Sequence, residues 1–129
     1  MIVLDTHVLI WMVNEPESLS KNASDAIREA RTTTGVAVAT FTLFELAWLA
    51  QNNRLAISTS VERFVNEMVS RVTVKSMTPQ IAALAVRFPA HYPKDPADRV
   101  IAATAIVEGI PLVTADQRIR KSGFVETIW

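Results

Sequence analysis

Short, densely apolar runs along the chain alternate with longer stretches in which apolar residues return every three or four positions, as expected when strands alternate with helices. Ile2 to Asp5 reads as a short buried strand, and Thr6 to Val13 continues with helical spacing. After the loop PESLS, Ser20 caps KNASDAIREAR, whose Ala23, Ile27 and Ala30 fall on one helical face. Gly35 turns the chain into VAVAT, a second strand. TLFELAWLAQNN then reads as a helix that is apolar nearly all round, hence buried, and that ends at Asn52 or Asn53.

The alternation continues to the end of the chain. TSVERFVNEMVS predicts a helix and VTVK a strand, and Thr78 with Pro79 supplies the cap and first position of the helix in TPQIAALAVRF. The proline-punctuated loop FPAHYPKDP leads into the helix PADRVIAATAIVEG, closed by Gly109. A strand LVTA, a short helix around DQRIRKSG and a last strand VETIW follow. Parallel strands need crossover connections of the kind helices supply, so the expectation is an α/β fold. Its central sheet is mostly parallel, with helices on both faces, in a single domain covering residues 1–129.

Composition narrows the picture. The 129 residues contain 13 Lys plus Arg and 13 Asp plus Glu, without the basic excess of a general nucleic-acid binder, so any nucleic-acid contact must be local. No cysteine is present, which removes disulfide frameworks and thiolate metal sites and suits a reducing cytoplasm. No run of apolar residues reaches the length of a membrane span, and the hydrophobic start lacks the basic flank and cleavage site of a signal peptide. An apolar content of 50% and a mean hydropathy of +0.22 are high for a small monomer and point to a dimer or a protein partner.

The acids carry the chemistry. A carboxylate inside an apolar run is costly to bury without compensation, yet Asp5 interrupts MIVLDTHVLIW. In parallel α/β sheets ligands collect at the carboxyl ends of the strands, where Asp5 falls and just beyond which Asp116 follows LVTA. Glu45 shares a helical face with Trp48 and Leu49, but Thr42 and Glu45 also have the spacing of a capping box, so two roles are open for it. Asp95 before Pro96 is mainly a cap, whereas Asp98 heads the face carrying Ile101, Ala102 and Ala105 and is aimed inward. Convergence of Asp5, Glu45, Asp98 and Asp116 would set like charges against one another, a conflict that a cation removes. Oxygen ligands favour Mg²⁺ or Mn²⁺, one or two ions, able to promote attack of water on a phosphodiester.

Taken together and in order, IVLDTHVLIW, TFTLFELAWL, DPADRVIAATAIVEGIPLVTAD and VETIW resemble PIN-domain proteins of the VapC toxin type over essentially the whole chain. The resemblance implies a metal-dependent endoribonuclease in which Asp5, Glu45, Asp98 and Asp116 are both catalytic residues and metal ligands, with Thr6 and Thr114 supporting them. It further implies products with a 3′-hydroxyl and a 5′-phosphate, a small antitoxin partner and a homodimer. His7 stands where many relatives have Asn, and Asn53 where relatives often have Gly, but no proposed ligand is missing.

Arg118, Arg120 and Lys121 form a local basic cluster suited to RNA backbone, and Arg99, beside Asp98 but turned about 100° from it on a helix, is a further candidate. Trp11 and Trp48 fit core or partner contacts better than base stacking, and His7 fits a hydrogen-bonded or exposed helical position better than catalysis. Two rivals remain at this level. One is a catalytically inactive PIN-fold binding protein. The other is an Asp-based phosphoryl-transfer domain, disfavoured because His7 occupies the position of its second aspartate.

Overall fold

The computed structural model describes all 129 residues, Met1–Trp129. Five strands form one sheet in the order β3-β2-β1-β4-β5, and every neighbouring pair is parallel. The strands are β1 (Ile2–Leu4), β2 (Val36–Ala39), β3 (Thr73–Lys75), β4 (Leu112–Val113) and β5 (Thr127–Ile128). Seven α-helices connect and cover them: α1 (Thr6–Asn14), α2 (Lys21–Thr32), α3 (Thr40–Gln51), α4 (Val61–Val69), α5 (Pro79–Arg87), α6 (Pro96–Glu108) and α7 (Gln117–Ser122). PESLS contains one 3-10 turn, Pro16–Ser18. The expected α/β fold with helices on both faces is the fold observed, and its sheet is wholly parallel.

Successive strand residues point to opposite faces, so the three central strands each feed two cores. Val3, Ala37, Ala39 and Leu112 join Ile81 and Ala85 of α5, Ile101 to Ala103 of α6 and Ile119 of α7 on one side. Ile2, Leu4, Val36, Val38 and Val113 join Val8 and Leu9 of α1, Ile27 of α2, Leu46 of α3 and Met68 of α4 on the other. The central strands are buried on both faces, which is why they read as unbroken apolar runs.

Local chemistry marks the helix ends. Ser20, Ser60 and Thr78 each accept from a backbone N–H three residues on, as N-caps do. Gly109 (φ 68°) and Asn53 (φ 57°) adopt the left-handed conformation just after α6 and near the end of α3. Thr42 departs from expectation: α3 begins at Thr40 directly after β2, so Thr42 lies inside the helix and is no cap. Nor is α3 buried all round, since Phe44 is 63% and Trp48 48% exposed. Its apolar pattern contains a face that the chain does not itself cover.

Candidate active site

Two connections bring the chain from strand to helix almost without a loop. Asp5 is the single residue between β1 and α1, and its Oδ1 accepts from the Thr6 N–H at 2.8 Å, so the acid caps the helix it introduces. Because α3 starts immediately after β2, Glu45 lies in its second turn beside the same edge of the sheet. The helix α6 precedes β4 and begins at the carboxyl-end edge of the sheet, where Asp98 occupies its first turn. Asp116 follows β4 by three residues and caps α7, its Oδ1 accepting from Arg118 N–H at 2.8 Å and Ile119 N–H at 3.4 Å.

These four acids line one cavity of about 380 Å³, together with Asp95, His7, Val8, Trp11, Ala115 and Arg118. Sequence reasoning placed Asp95 as a cap, and it is one, its Oδ1 accepting from Ala97 N–H at 2.8 Å. Its position also puts it on the rim, a role that helix spacing did not signal. The convergence expected of Asp5, Glu45, Asp98 and Asp116 is thus observed.

Threonine hydroxyls orient two of the carboxylates. The buried Thr114 donates to Asp5 Oδ2 at 2.8 Å while its own oxygen accepts from Asp116 N–H at 3.1 Å, tying β4 to the end of β1. The buried Thr6 hydroxyl donates to Glu45 Oε1 in a short hydrogen bond and lies 3.0 Å from the Thr42 hydroxyl, which is buried as well. Since Thr6 gives its proton to Glu45, it accepts from Thr42. The capping-box reading of Thr42 and Glu45 is therefore corrected: the pair meets through Thr6, a residue of another helix. The sequence signal for Thr42 was its spacing from Glu45, but no local rule could supply the third partner.

Electrostatics separate the acids. Burial pushes Asp5 above the usual carboxylate range, against the pull of the Thr114 and Thr6 hydrogen bonds. Burial raises Glu45 too, with the Thr6 hydrogen bond opposing and Asp5 and Asp95 adding to the rise. Asp98 is pushed up to about 7 by burial and then by the charges of Asp5, Asp95, Asp116 and Glu45. Asp116 moves the other way: burial opposes, but hydrogen bonds from the Arg118 guanidinium and backbone N–H outweigh it and hold the carboxyl low.

The basic residues divide. Arg118 is at the cavity, its Nη2 lying 3.0 Å from Asp116 Oδ2 and 3.8 Å from Asp98 Oδ2. Arg120 and Lys121 are exposed and line a separate depression with Gln117 and Thr127, so they do not extend the acidic cavity. Arg99 lies outside the acidic cavity. Its guanidinium is turned inward and donates to the carbonyls of Phe88 and, more distantly, Ala85 and Pro89, while Nε donates to Pro93 O at 3.0 Å. Arg99 clasps the proline-rich loop against α6, aided by Tyr92, whose hydroxyl donates to the Asp98 carbonyl at 3.3 Å.

The donor set suits a hard divalent cation: several carboxylates, hydroxyl-supported, with no thiol. As the side chains stand, no three acid or histidine groups are drawn tightly enough together to hold an ion, and Arg118 supplies positive charge at the spot. The residues therefore fit such an ion in chemistry and location, while its binding requires them to draw inward.

Residues 2–125 match the model of the PIN domain. The chain belongs to the PIN-domain family. This PIN domain is 44% identical over 119 residues to ribonuclease VapC22 of Mycobacterium tuberculosis, an alignment covering 92% of this chain and 89% of that protein. Its fold is shared with VapBC2 of Rickettsia felis, solved bound to a DNA fragment from its promoter (TM-score 0.74, 15% identity, 98% of this chain and 97% of that one). DNA-bound VapBC of Salmonella typhimurium is similar as well (TM-score 0.71, 21% identity, 98% and 95% covered).

Proposed function

We propose that this protein is a VapC-type toxin: a Mg²⁺- or Mn²⁺-dependent endoribonuclease that acts in the cytoplasm, as a homodimer restrained by a small antitoxin. The observation that carries the reading is the meeting of Asp5, Glu45, Asp98 and Asp116, drawn from separate parts of the chain, in one cavity at the carboxyl-end edge of the parallel sheet. The likeness to ribonuclease VapC22 supports RNA as the substrate. That structural neighbours include toxin–antitoxin assemblies supports the antitoxin, as does the uncovered face of Phe44 and Trp48 for a protein partner. No helix is long and apolar enough to cross a membrane.

Asp5, Glu45, Asp98 and Asp116 are the residues that would hold one or two ions, with Thr6 and Thr114 orienting two of them. When bound, such an ion supplies charge stabilisation for the phosphodiester and eases ionisation of the attacking water. The chain's own part is to keep the acids oriented and to manage their protons. The partly buried Asp98 carboxyl, raised to about 7, is the acid that would give up its proton as positive charge entered the cavity. Cleavage would leave a 3′-hydroxyl and a 5′-phosphate.

The test is incubation of the protein with a pool of structured RNA, with Mg²⁺ or Mn²⁺ and with chelator, beside Asp5→Asn and Asp98→Asn variants purified identically. Discrete metal-dependent cuts by the wild type, absent from both variants, are expected. Identical behaviour of wild type and variants would replace this reading with a binding protein that keeps the PIN fold.

A further inference from the structure

Arg118 is the only lysine or arginine lining a cavity that holds five acids. Its backbone N–H donates to Asp116 Oδ1 at 2.8 Å, which anchors its main chain in the first turn of α7. From there the guanidinium returns to the same carboxylate, with Nε 3.4 Å from Oδ1 and Nη2 3.0 Å from Oδ2, and also lies 3.8 Å from Asp98 Oδ2. The side chain is 70% exposed, so these contacts can be given up without opening either core. Arg99 makes the contrast plain, since its guanidinium is enclosed by the loop carbonyls it serves and cannot leave them cheaply.

A guanidinium between two carboxylates neutralises the charge that a divalent ion would otherwise neutralise, and it uses the same oxygens. We propose that Arg118 is the cavity's resident counter-cation: it holds Asp98 and Asp116 while no divalent ion is present and must swing away for the ion to bind. The proposal rests on the metal-dependent reading given above and adds a competitor to it. In the ion-free protein Arg118 relieves the mutual repulsion of the acids. Once displaced, it stands at the cavity mouth as a free cation. Ion affinity is then set by the acids and by how firmly the arginine fork resists removal.

The experiment titrates Mn²⁺ into the full-length wild type and the variants Arg118→Ala and Arg118→Lys, reading free Mn²⁺ by electron paramagnetic resonance. In parallel, the Arg118 Nε–H signal of ¹⁵N-labelled wild type is followed by NMR as Mg²⁺ is added. Loss of mostly exposed ion pairs predicts that Arg118→Ala binds Mn²⁺ about three- to tenfold more tightly than wild type. Arg118→Lys, which keeps the charge but loses the fork, falls between them. The Arg118 signal shifts as Mg²⁺ saturates the wild type, an observation that needs no variant to fold.

Equal affinities in all three proteins, or saturation that leaves the Arg118 signal unmoved, would overturn the proposal. If ions then still bind and RNA is still cut in a metal-dependent manner, the nuclease reading survives its loss. If no protein binds Mn²⁺ at millimolar concentration, this proposal and the metal dependence fall together.

Discussion

Replacing Asp98 with Asn should stabilise the ion-free protein above neutral pH, even though Asp98 is a proposed catalytic residue. The ordinary aspartate value of 3.8 is raised to about 7 in the folded chain. Between those values the folded protein keeps a proton on Asp98 that the unfolded chain has released. Stability from this group is therefore greatest at the acid end and declines as pH rises towards 7. With about 1.4 kcal/mol for each pH unit separating the folded and unfolded values, the ceiling on this cost is about 4 kcal/mol at pH 8. The Asp98 side chain is only 18% exposed, so solvent screens it little. Local relaxation and the attraction of Arg118 reduce the realised cost to about 1–2 kcal/mol, or roughly 3–8 °C in Tm for a chain of this size. Asn resembles the neutral acid, so wild type and Asp98→Asn should melt together at or below about pH 4, draw apart as pH rises towards 7 and stay apart at pH 8, with the variant higher. Thermal unfolding followed by circular dichroism in chelator measures both points. A variant that melts at or below the wild-type temperature at pH 8 would refute the argument, because it would mean that the ionised carboxylate is well accommodated.

The Thr42–Thr6–Glu45 chain predicts that Thr6→Val and Thr42→Val each cost about 1–3 kcal/mol in urea denaturation, with the double variant costing less than the two together. Full additivity would break the chain as drawn. Arg99→Met should destabilise by about 1–3 kcal/mol through its unsatisfied loop carbonyls. Measured in an Asp98→Asn background, it should leave the salt dependence of RNA binding unchanged. A salt slope reduced by about one would instead return Arg99 to the phosphate contacts.

What the sequence reveals and what it hides divide along a physical line. Val3 between Ile2 and Leu4, or Ile27 four residues after Ala23, report burial through periodicity alone, and the alternation of such segments implies the parallel sheet. Asp5 was legible because a carboxylate among buried strand residues has few tolerable positions. Asp98 was legible from the face that it heads. Arg99 was not, because its partners are backbone carbonyls in a loop whose path no pattern records. Thr42 satisfied a local capping rule that the earlier start of α3 overrode. The exposure of Phe44 and Trp48 was hidden for a different reason: an apolar residue facing a partner and one facing a core are written alike.

The hydrogen bond from Thr114 to Asp5 joins residues 109 positions apart. Its consequence concerns the order of synthesis. A ribosome making this chain produces Asp5 well before Thr114, and the carboxylate waits without its hydroxyl partner, without Asp116 and without β4 beside β1 until those residues have been made. Abandoned translation products that stop short of Thr114 therefore carry an incomplete cavity. For a protein proposed to cut the molecules that encode and build it, the stretch carrying Thr114 and Asp116, made long after Asp5, is also the one that arms it.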